Sequence, residues 1–158
     1  MIYDSQIWLQ DINTGMKTVP ELNQLENKNI MITGAAGLIC SAIVDILISY
    51  NESHANKINI LLAGRWLEEM EARFGSYLLK NYMKFVRYDA SRTDNHIEEQ
   101  ADYIIHGASN AFPAMVMKQP VETMTANFSG MMELLEYAKQ NGTKRILYIS
   151  SSEVYGNK

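Results

Sequence analysis

The 158-residue chain is long enough for one domain of ordinary size. Its 47% hydrophobic and 20% charged residues are typical of a globular protein. A formal charge of −4, a pI near 5.4 and scattered lysines and arginines argue against a nucleic-acid partner.

The cysteine and histidine content points to no metal site and no disulfide. Cys40 is the single cysteine, and the three histidines show no spacing typical of zinc ligands. The chain start lacks a basic region followed by an apolar one, and no apolar run is long enough to span a bilayer. These features predict a cytoplasmic protein in a reducing compartment, without membrane association.

The predicted elements alternate between strands and helices. Residues 1–27 show no sharp period and are interpreted as an N-terminal extension, with a short helix, lying against a domain formed by residues 28–158. Within that domain, five short apolar runs predict strands. They are "NIMITG" (29–34), "INILLAG" (58–64), "MKFVRYDA" (83–90), "ADYIIHGAS" (101–109) and "KRILYISS" (144–151).

Helical spacing is clearest after the first strand and before the last. One predicted helix face consists of Ile39, Ile43, Ile46, Leu47 and Tyr50. The other consists of Val121, Met124, Phe128, Met131, Leu135 and Ala138, and Asn141-Gly142 ends that helix. We expect this second face to lie in the core, with a partner surface as the alternative. Apolar strands separated by helices predict an α/β fold, a Rossmann-like doubly wound parallel sheet.

The first strand is followed by "ITGAAGLIC", a G-x-x-G-x-x-C turn that contains Gly34 and Gly37. Glycines there let the backbone approach a pyrophosphate, which the N–H groups of the following helix can bind. The turn predicts a dinucleotide site, and an ordinary strand–helix turn is the alternative. Cys40 replaces the third glycine and is interpreted as a small buried hydrophobe.

The end of the second strand bears on the cofactor's 2′ group. An acidic residue there favours NAD, whereas this strand ends in Gly64-Arg65. Arg65 is either a ligand for the 2′-phosphate of NADP or a solvated residue at a helix start, so NAD is predicted with NADP left open. Asp89 is placed to reach an adenine edge or, alternatively, to cap the following turn.

Several motifs together resemble a known family. "TGAAGLI", "YDA", "DYIIHGAS" and "NFSGMMELLEYAKQNGTKRILYISSSEVYG" resemble the cofactor turn and strand ends of the extended short-chain dehydrogenase/reductases. These are the NAD-dependent nucleotide-sugar epimerases and dehydratases, and the likeness is greatest to the UDP-glucuronate decarboxylase and dTDP-glucose 4,6-dehydratase branch. The resemblance implies a UDP- or dTDP-linked sugar substrate and a homodimer formed through the long helix.

The resemblance also implies site residues. It assigns Gly34, Ala36, Gly37, Leu38 and Ile39 to the pyrophosphate turn, Asp89 and Ala90 to the adenine pocket, and Ala108 and Ser109 to the segment beneath the cofactor. It assigns Ser151 to holding the sugar's reacting oxygen and Glu153 to acting on the oxidised sugar. Asn127 stands where the family usually has Asn, and an exposed polar helix residue is the alternative.

The family's base is the tyrosine of a Tyr-x-x-x-Lys motif, which residues 1–158 do not contain. Tyr155 and Lys158 have the wrong spacing, and Tyr155 is interpreted as a packing residue. We therefore expect the chain to be the cofactor-binding part of a larger enzyme, truncated before the C-terminal strands and substrate region and without turnover alone. The alternative is a non-catalytic domain that senses NAD(P).

Overall fold

The computed structural model describes residues 2–109 and 112–156, and within them it gives no side-chain description for Pro113, Ser152 and Glu153. Five strands form one sheet: β1 (Asn29–Thr33), β2 (Asn59–Gly64), β3 (Met83–Arg87), β4 (Tyr103–His106) and β5 (Arg145–Tyr148). Their order is β3-β2-β1-β4-β5, and each neighbouring pair is parallel. The predicted Rossmann-like parallel sheet is confirmed.

Helices connect these strands and cover the sheet. They are α1 (Gln6–Thr18), α2 (Leu38–Ser53), α3 (Leu67–Phe74), α4 (Pro113–Lys118) and α5 (Pro120–Asn141). Short 3-10 helices span Ile2–Asp4, Pro20–Leu25, Gly75–Leu79 and Ser152–Tyr155. Gly142 ends α5 in a left-handed conformation, with φ of 70°, as its Asn-Gly sequence predicts.

The sheet has a separate core cluster on each face, because successive strand residues point to opposite sides. Ile30 and Ile32 of β1 pack with residues of α2 and α3 on one face. Met31, between them, packs with residues of α5 on the other. The sheet is therefore covered on both sides at its centre, which is why its strands are almost entirely apolar.

The N-terminal residues are tied to α2 by a buried polar cluster. The carboxylate of Asp45, almost fully buried, accepts hydrogen bonds from the Tyr3 hydroxyl at 2.6 Å and the Trp8 indole N–H at 2.9 Å. It also forms an ion pair with Arg73 of α3 at 2.5 Å. A buried carboxylate requires such partners, so this cluster joins α1, α2 and α3.

The buried face of α2 differs from the predicted one. Leu47 and Tyr50 are buried as expected, but Ile39 is exposed. Ile43 and Ile46 are only partly buried and pack at the side of the core cluster. The reason is that α2 is covered by the sheet on one side and by α1 on another, so its apolar residues exceed one stripe.

The expectation that the Met-rich face of α5 lies in the core is wrong. Val121, Met124 and Phe128 are 64%, 66% and 69% exposed. The helix instead buries a narrow face that includes Ala126 and Gly130. A Cβ on Gly130 would lie 2.6 Å from the carbonyl oxygen of Ala90, so the close contact with the chain after β3 requires glycine. The bulky apolar residues consequently point outward.

No helix in the described part of the chain is both long enough and apolar enough to cross a bilayer.

Candidate functional site

The turn between β1 and α2 lies at the centre of the sheet's carboxyl edge. Gly34 has φ of 66°, a left-handed conformation that favours glycine. A Cβ at this position would lie 2.9 Å from the backbone nitrogen of Ala108, in the segment that follows β4. The β1–α2 turn and the segment after β4 therefore meet backbone to backbone. They meet where the strand order reverses, which is where open α/β sheets bind ligands.

The first turn of α2 is open at its amino end. Gly37 is the N-cap residue, and among the described residues no side-chain cap bonds to the helix's first N–H groups. Leu38 and Ile39, which follow it, are both exposed. These N–H groups, together with the positive end of the helix dipole, form an anion site of the kind that holds a pyrophosphate.

A cleft of about 410 Å³ opens over this turn. It brings together most of the residues that sequence analysis assigned to the cofactor. They are Gly34, Ala36, Gly37, Arg65, Asp89, Ala90, Ala108 and Ser109. Leu38 and Ile39, the other two, lie beside the cleft on α2 but do not line it.

Asp89 caps the turn after β3, which was the alternative given for it, and it also lines the cleft. Its Oδ1 accepts hydrogen bonds from the backbone N–H and the hydroxyl of Ser91, at 3.0 and 2.7 Å, so it caps the turn after β3. It also lines the cleft, next to Ala90. Capping therefore holds the carboxyl group in place at the cleft wall.

A threonine–histidine pair beneath the cleft was missed by sequence analysis. The backbone N–H groups of Gly107 and Ala108 each donate to Oγ1 of Thr33 across 3.2 Å. Since this oxygen accepts twice, its own hydrogen is donated to Nδ1 of His106, 2.7 Å away. The pair thus fixes the segment that packs against Gly34. Residues 73 positions apart make this contact, so no local pattern could have revealed it.

His106 is fully buried, and burial lowers the pKa of its ring to about 4. Its Nε2 is enclosed without a hydrogen-bond partner in the described part of the chain. The ring stacks on Tyr148 of β5, with centroids 5.5 Å apart. A neutral histidine is therefore built into the floor of the site.

Cys40 is buried, as expected, and it packs against Gly107. A Cβ on Gly107 would clash with the Cys40 sulfur. Burial raises the pKa of the Cys40 thiol, which disfavours the reactive thiolate. The cysteine in the third position of the glycine motif is thus accommodated by a glycine at the end of β4.

The residues predicted for sugar chemistry follow β5, at one side of the cleft. Ser151 is exposed, and it is not among the residues that line the cleft. Glu153 belongs to the 3-10 helix Ser152–Tyr155, and its side chain lies outside the described part of the structure, as does Lys158. Ser151 is therefore not among the described residues that line the cofactor cleft, and the role expected for Glu153 stays a prediction.

Asn127 is half-buried on α5, and its Oδ1 is enclosed with no hydrogen-bond partner among the described residues. This environment differs from the exposed polar position that was the alternative for it. Within the described ranges, no cluster of three or more histidine, cysteine or acidic residues could hold a metal ion.

The fold agrees with what comparison with known proteins shows. Residues 30–158 match the NAD dependent epimerase/dehydratase family, and the chain belongs to that family.

Among its relatives, UDP-glucuronic acid decarboxylase 6 of Arabidopsis thaliana is 31% identical over 131 residues, which are 83% of this chain and 36% of that enzyme. UDP-glucose 4-epimerase of Streptococcus mutans is 30% identical over 130 residues, 80% of this chain and 37% of that enzyme. The chain thus spans well under half the length of these relatives.

Solved structures support the same fold. The UDP-N-acetylglucosamine 4-epimerase of Methanobrevibacter ruminantium superposes with a TM-score of 0.68 at 24% identity, over 84% of this chain and 41% of that one. Pen from Bacillus thuringiensis superposes with a TM-score of 0.69 at 18% identity, over 84% and 40% of the two chains. At such identities the likeness concerns the fold.

Proposed function

We propose that this chain is the cofactor-binding portion of an enzyme that transiently oxidises a hydroxyl of a nucleotide-linked sugar. The observation that carries this proposal is the cleft over the glycine turn. There, an uncapped helix N-terminus, a left-handed glycine and the end of β4 meet without intervening side chains. Such a cradle suits a dinucleotide pyrophosphate, because backbone N–H groups can approach its oxygens.

The residues present fit a nicotinamide dinucleotide. In this proposal Gly34, Ala36 and Gly37 face the pyrophosphate, with Leu38 and Ile39 supplying backbone N–H groups from the first turn of α2. Asp89 and Ala90 bound the adenine, and Ala108 and Ser109 lie beneath the cofactor. When bound, the cofactor supplies an acceptor for a hydride from a sugar carbon. The family is named for NAD, which supports a cofactor of this class.

The substrate we propose is a UDP- or dTDP-linked sugar, since the relatives are named as UDP-glucuronic acid decarboxylases and UDP-glucose 4-epimerases. Ser151 would orient the reacting oxygen by a hydrogen bond, because a serine hydroxyl alone is too weak an acid to serve as the base. Glu153 would act on the sugar once it is oxidised. Both follow β5, whose carboxyl end lies on the same sheet edge as the cleft.

We propose that residues 1–158 bind the cofactor without turning over a sugar. The Tyr-x-x-x-Lys pattern, which the family resemblance implies for the base, does not occur in them. The same observation favours the second candidate, a non-catalytic NAD(P)-sensing domain. Ser151 and Glu153 count against a sensor, which has no need of a hydroxyl and a carboxylate at the sugar side.

The exposed face of α5 is proposed as the homodimer interface. Phe128 and Met124 stand at helical spacing on it with more than half of their surface exposed. Exposed apolar stripes of this kind mark protein contacts. We also propose a cytoplasmic location without nucleic-acid partners, consistent with the net charge of −4.

Calorimetric titration of the purified chain with NAD⁺ and with NADP⁺ tests the proposal. We expect at least one of them to bind. In parallel, the chain with added cofactor is incubated with UDP-glucuronate and with dTDP-glucose, and no product is expected. Absence of binding by both dinucleotides would remove the cofactor role, whereas turnover of either sugar nucleotide would contradict the claim that residues 1–158 lack a complete site.

A further inference from the structure

The N-terminal segment, residues 2–18, lies outside the part of the chain that matches the family, which begins at residue 30. It consists of the 3-10 helix Ile2–Asp4 and α1. Ile12 anchors α1 in the domain, whereas Ile7 and Leu9 are exposed. Two of the segment's side chains, those of Tyr3 and Trp8, bond to one buried carboxylate of α2. The role of the segment is therefore to be sought at that carboxylate.

The carboxylate belongs to Asp45, and it takes its partners from the segment and from α3 together. Oδ1 accepts a hydrogen bond from Tyr3, and Oδ2 accepts from Trp8 and from Arg73 of α3. The side chains of Asp45 and Arg73 are only 2% and 15% exposed, so each charge depends on the other. The Tyr3 hydroxyl bonds to both, because it also accepts from Arg73 at 3.1 Å. The segment thus completes the ion pair that joins α2 to α3.

The aromatic rings of the segment also cover the Arg73 guanidinium. Its central carbon lies 5.5 Å from the ring centre of Tyr3 and 6.0 Å from that of Trp8. Tyr3 further meets Tyr77, in the 3-10 helix after α3, edge to face with centroids 5.1 Å apart. Rings over a guanidinium attract it and keep water away, which strengthens its ion pair. The segment therefore packs against α3 as well as against α2.

Both of the helices joined in this way border the dinucleotide cleft. The glycine turn from which α2 begins lines the cleft, and so do Glu69 and Met70 of α3. Arg73 lies within about one helical turn of both residues. A Cβ on Gly64, at the end of β2, would lie 2.5 Å from Cε of Met70, so α3 fits closely against the sheet. A displacement of Arg73 would consequently move the residues of α3 that line the cleft.

We propose that the N-terminal segment is a positioning element for the dinucleotide cleft. By completing the Asp45–Arg73 ion pair, it holds α3 where Glu69 and Met70 line the cleft, although none of residues 2–18 is among the described lining residues. Coupling between two sites is reciprocal, so a bound dinucleotide in turn stabilises the segment. The inference rests on the proposed dinucleotide function. The family match does not account for it, because the segment precedes the matched residues.

Calorimetric titration of the whole chain with NAD⁺ tests the coupling. The double variant Tyr3→Phe/Trp8→Phe removes both hydrogen bonds from the segment to Asp45 and keeps an aromatic ring at each position. We expect its affinity for NAD⁺ to fall by about fivefold or more. The matched control is Asn13→Ala, which breaks a hydrogen bond of 3.1 Å between α1 and Ser49 of α2 and does not involve α3. It should leave the affinity within about twofold.

The affinity separates positioning from a merely structural role. A segment that only adds stability would lower the free energy of unfolding, but the folded variant would bind NAD⁺ as the wild type does. Circular dichroism verifies that each variant is folded, and urea denaturation measures its stability. NADP⁺ replaces NAD⁺ in these titrations if it alone binds to the wild type.

Hydrogen exchange of the wild-type chain gives a second measurement, which keeps the inference testable should the double variant not fold. Saturating NAD⁺ should slow exchange at the amides of residues 9–18 by about fivefold, the factor by which the segment favours binding.

The outcomes of these experiments separate the inference from the proposed function. Wild-type binding with unchanged affinity in the double variant, or with unchanged exchange at residues 9–18, overturns the inference and leaves the proposed function standing. An affinity loss in Asn13→Ala equal to that in the double variant also overturns it, since the contact with α3 would then be irrelevant. Failure of the wild type to bind either dinucleotide removes the proposed function itself, and the inference with it.

Discussion

The two flanks of the sheet are built differently. On the β2–β3 flank, the residues of β2 from Ile60 to Ala63 are buried, and the polar cluster around Asp45 ties the N-terminal residues to that side. On the β4–β5 flank, Leu147 of β5 is 57% exposed, and the bulky face of α5 points to solvent.

The residues proposed for the sugar follow β5, whereas those proposed for the cofactor follow the other four strands. Most of the residues proposed for the cofactor follow β1, β2, β3 and β4, and β1 and β2 are almost entirely buried. Those proposed for the sugar follow β5, where strand residues remain exposed. The residues proposed for the cofactor therefore follow strands with buried cores on both faces, whereas Ser151, proposed for the sugar, is exposed.

The largest effect is expected on the closed flank, at Asp45. Asp45→Asn leaves the Arg73 guanidinium without its buried counter-charge, so we expect the free energy of unfolding to fall by about 3 kcal/mol. Urea denaturation measures the loss. The control, Glu136→Gln, breaks an exposed pair 3.9 Å long on α5 and should cost less than about 1 kcal/mol. Equal losses in the two variants would show that the polar cluster does not secure this flank.

The glycine turn offers the next test, with a matched pair of substitutions. Gly34→Ala combines a left-handed φ with backbone contacts at 2.9 Å, and we expect it to cost about 2 kcal/mol of stability. It should also abolish detectable dinucleotide binding. Gly142→Ala has a similar φ of 70° but open space around it, so it should cost about 1 kcal/mol and leave binding intact. Retained binding in Gly34→Ala would contradict the role of the turn.

Burial of His106 predicts that the free energy of unfolding depends on pH. Its pKa is 6.5 in an unfolded chain and about 4 when buried. Between these values the unfolded state binds the extra proton, so stability falls as the pH is lowered from 6.5 to 4. This contribution amounts to about 3 kcal/mol. His106→Asn keeps an acceptor for Thr33 and should lose this contribution. Urea denaturation of both proteins at several pH values between 6.5 and 4 measures the effect. The same change in free energy of unfolding with pH in both proteins would rule out the contribution of His106.

The smallest effect on stability is expected on the open flank. Phe128→Asp places a charge on the exposed face of α5, which should weaken self-association but change the free energy of unfolding by less than about 0.5 kcal/mol. Sedimentation velocity measures the first quantity and urea denaturation the second. A monomeric wild-type chain, or an unchanged dimer in the variant, would exclude this face as the interface.

Much of the fold could be predicted because its signals are local. The five strands are short runs rich in apolar residues, and both Gly34 and Gly142 adopt a positive φ, which favours glycine. Most of the residues proposed for the cofactor could be placed at one cleft for the same reason, since they directly follow strands. Local patterns therefore located the cleft.

What could not be predicted depends on contacts between distant segments. The apolar stripe of α5 gave no indication that Gly130 would pack against Ala90 and turn Phe128 outward. The pairing of Thr33 with His106 likewise joins two strands whose register the sequence does not state. Helical spacing shows that a face is apolar but not which surface covers it.

The central claim is that the cleft over the glycine turn binds a dinucleotide. Hydrogen exchange measured by mass spectrometry, with and without saturating NADP⁺ or NAD⁺, tests it most directly. We predict slower exchange at the amides of residues 34–41, 89–91 and 107–109, and no change on the exposed face of α5 between residues 121 and 135. Unchanged exchange in the first three segments, or protection confined to α5, would contradict the account.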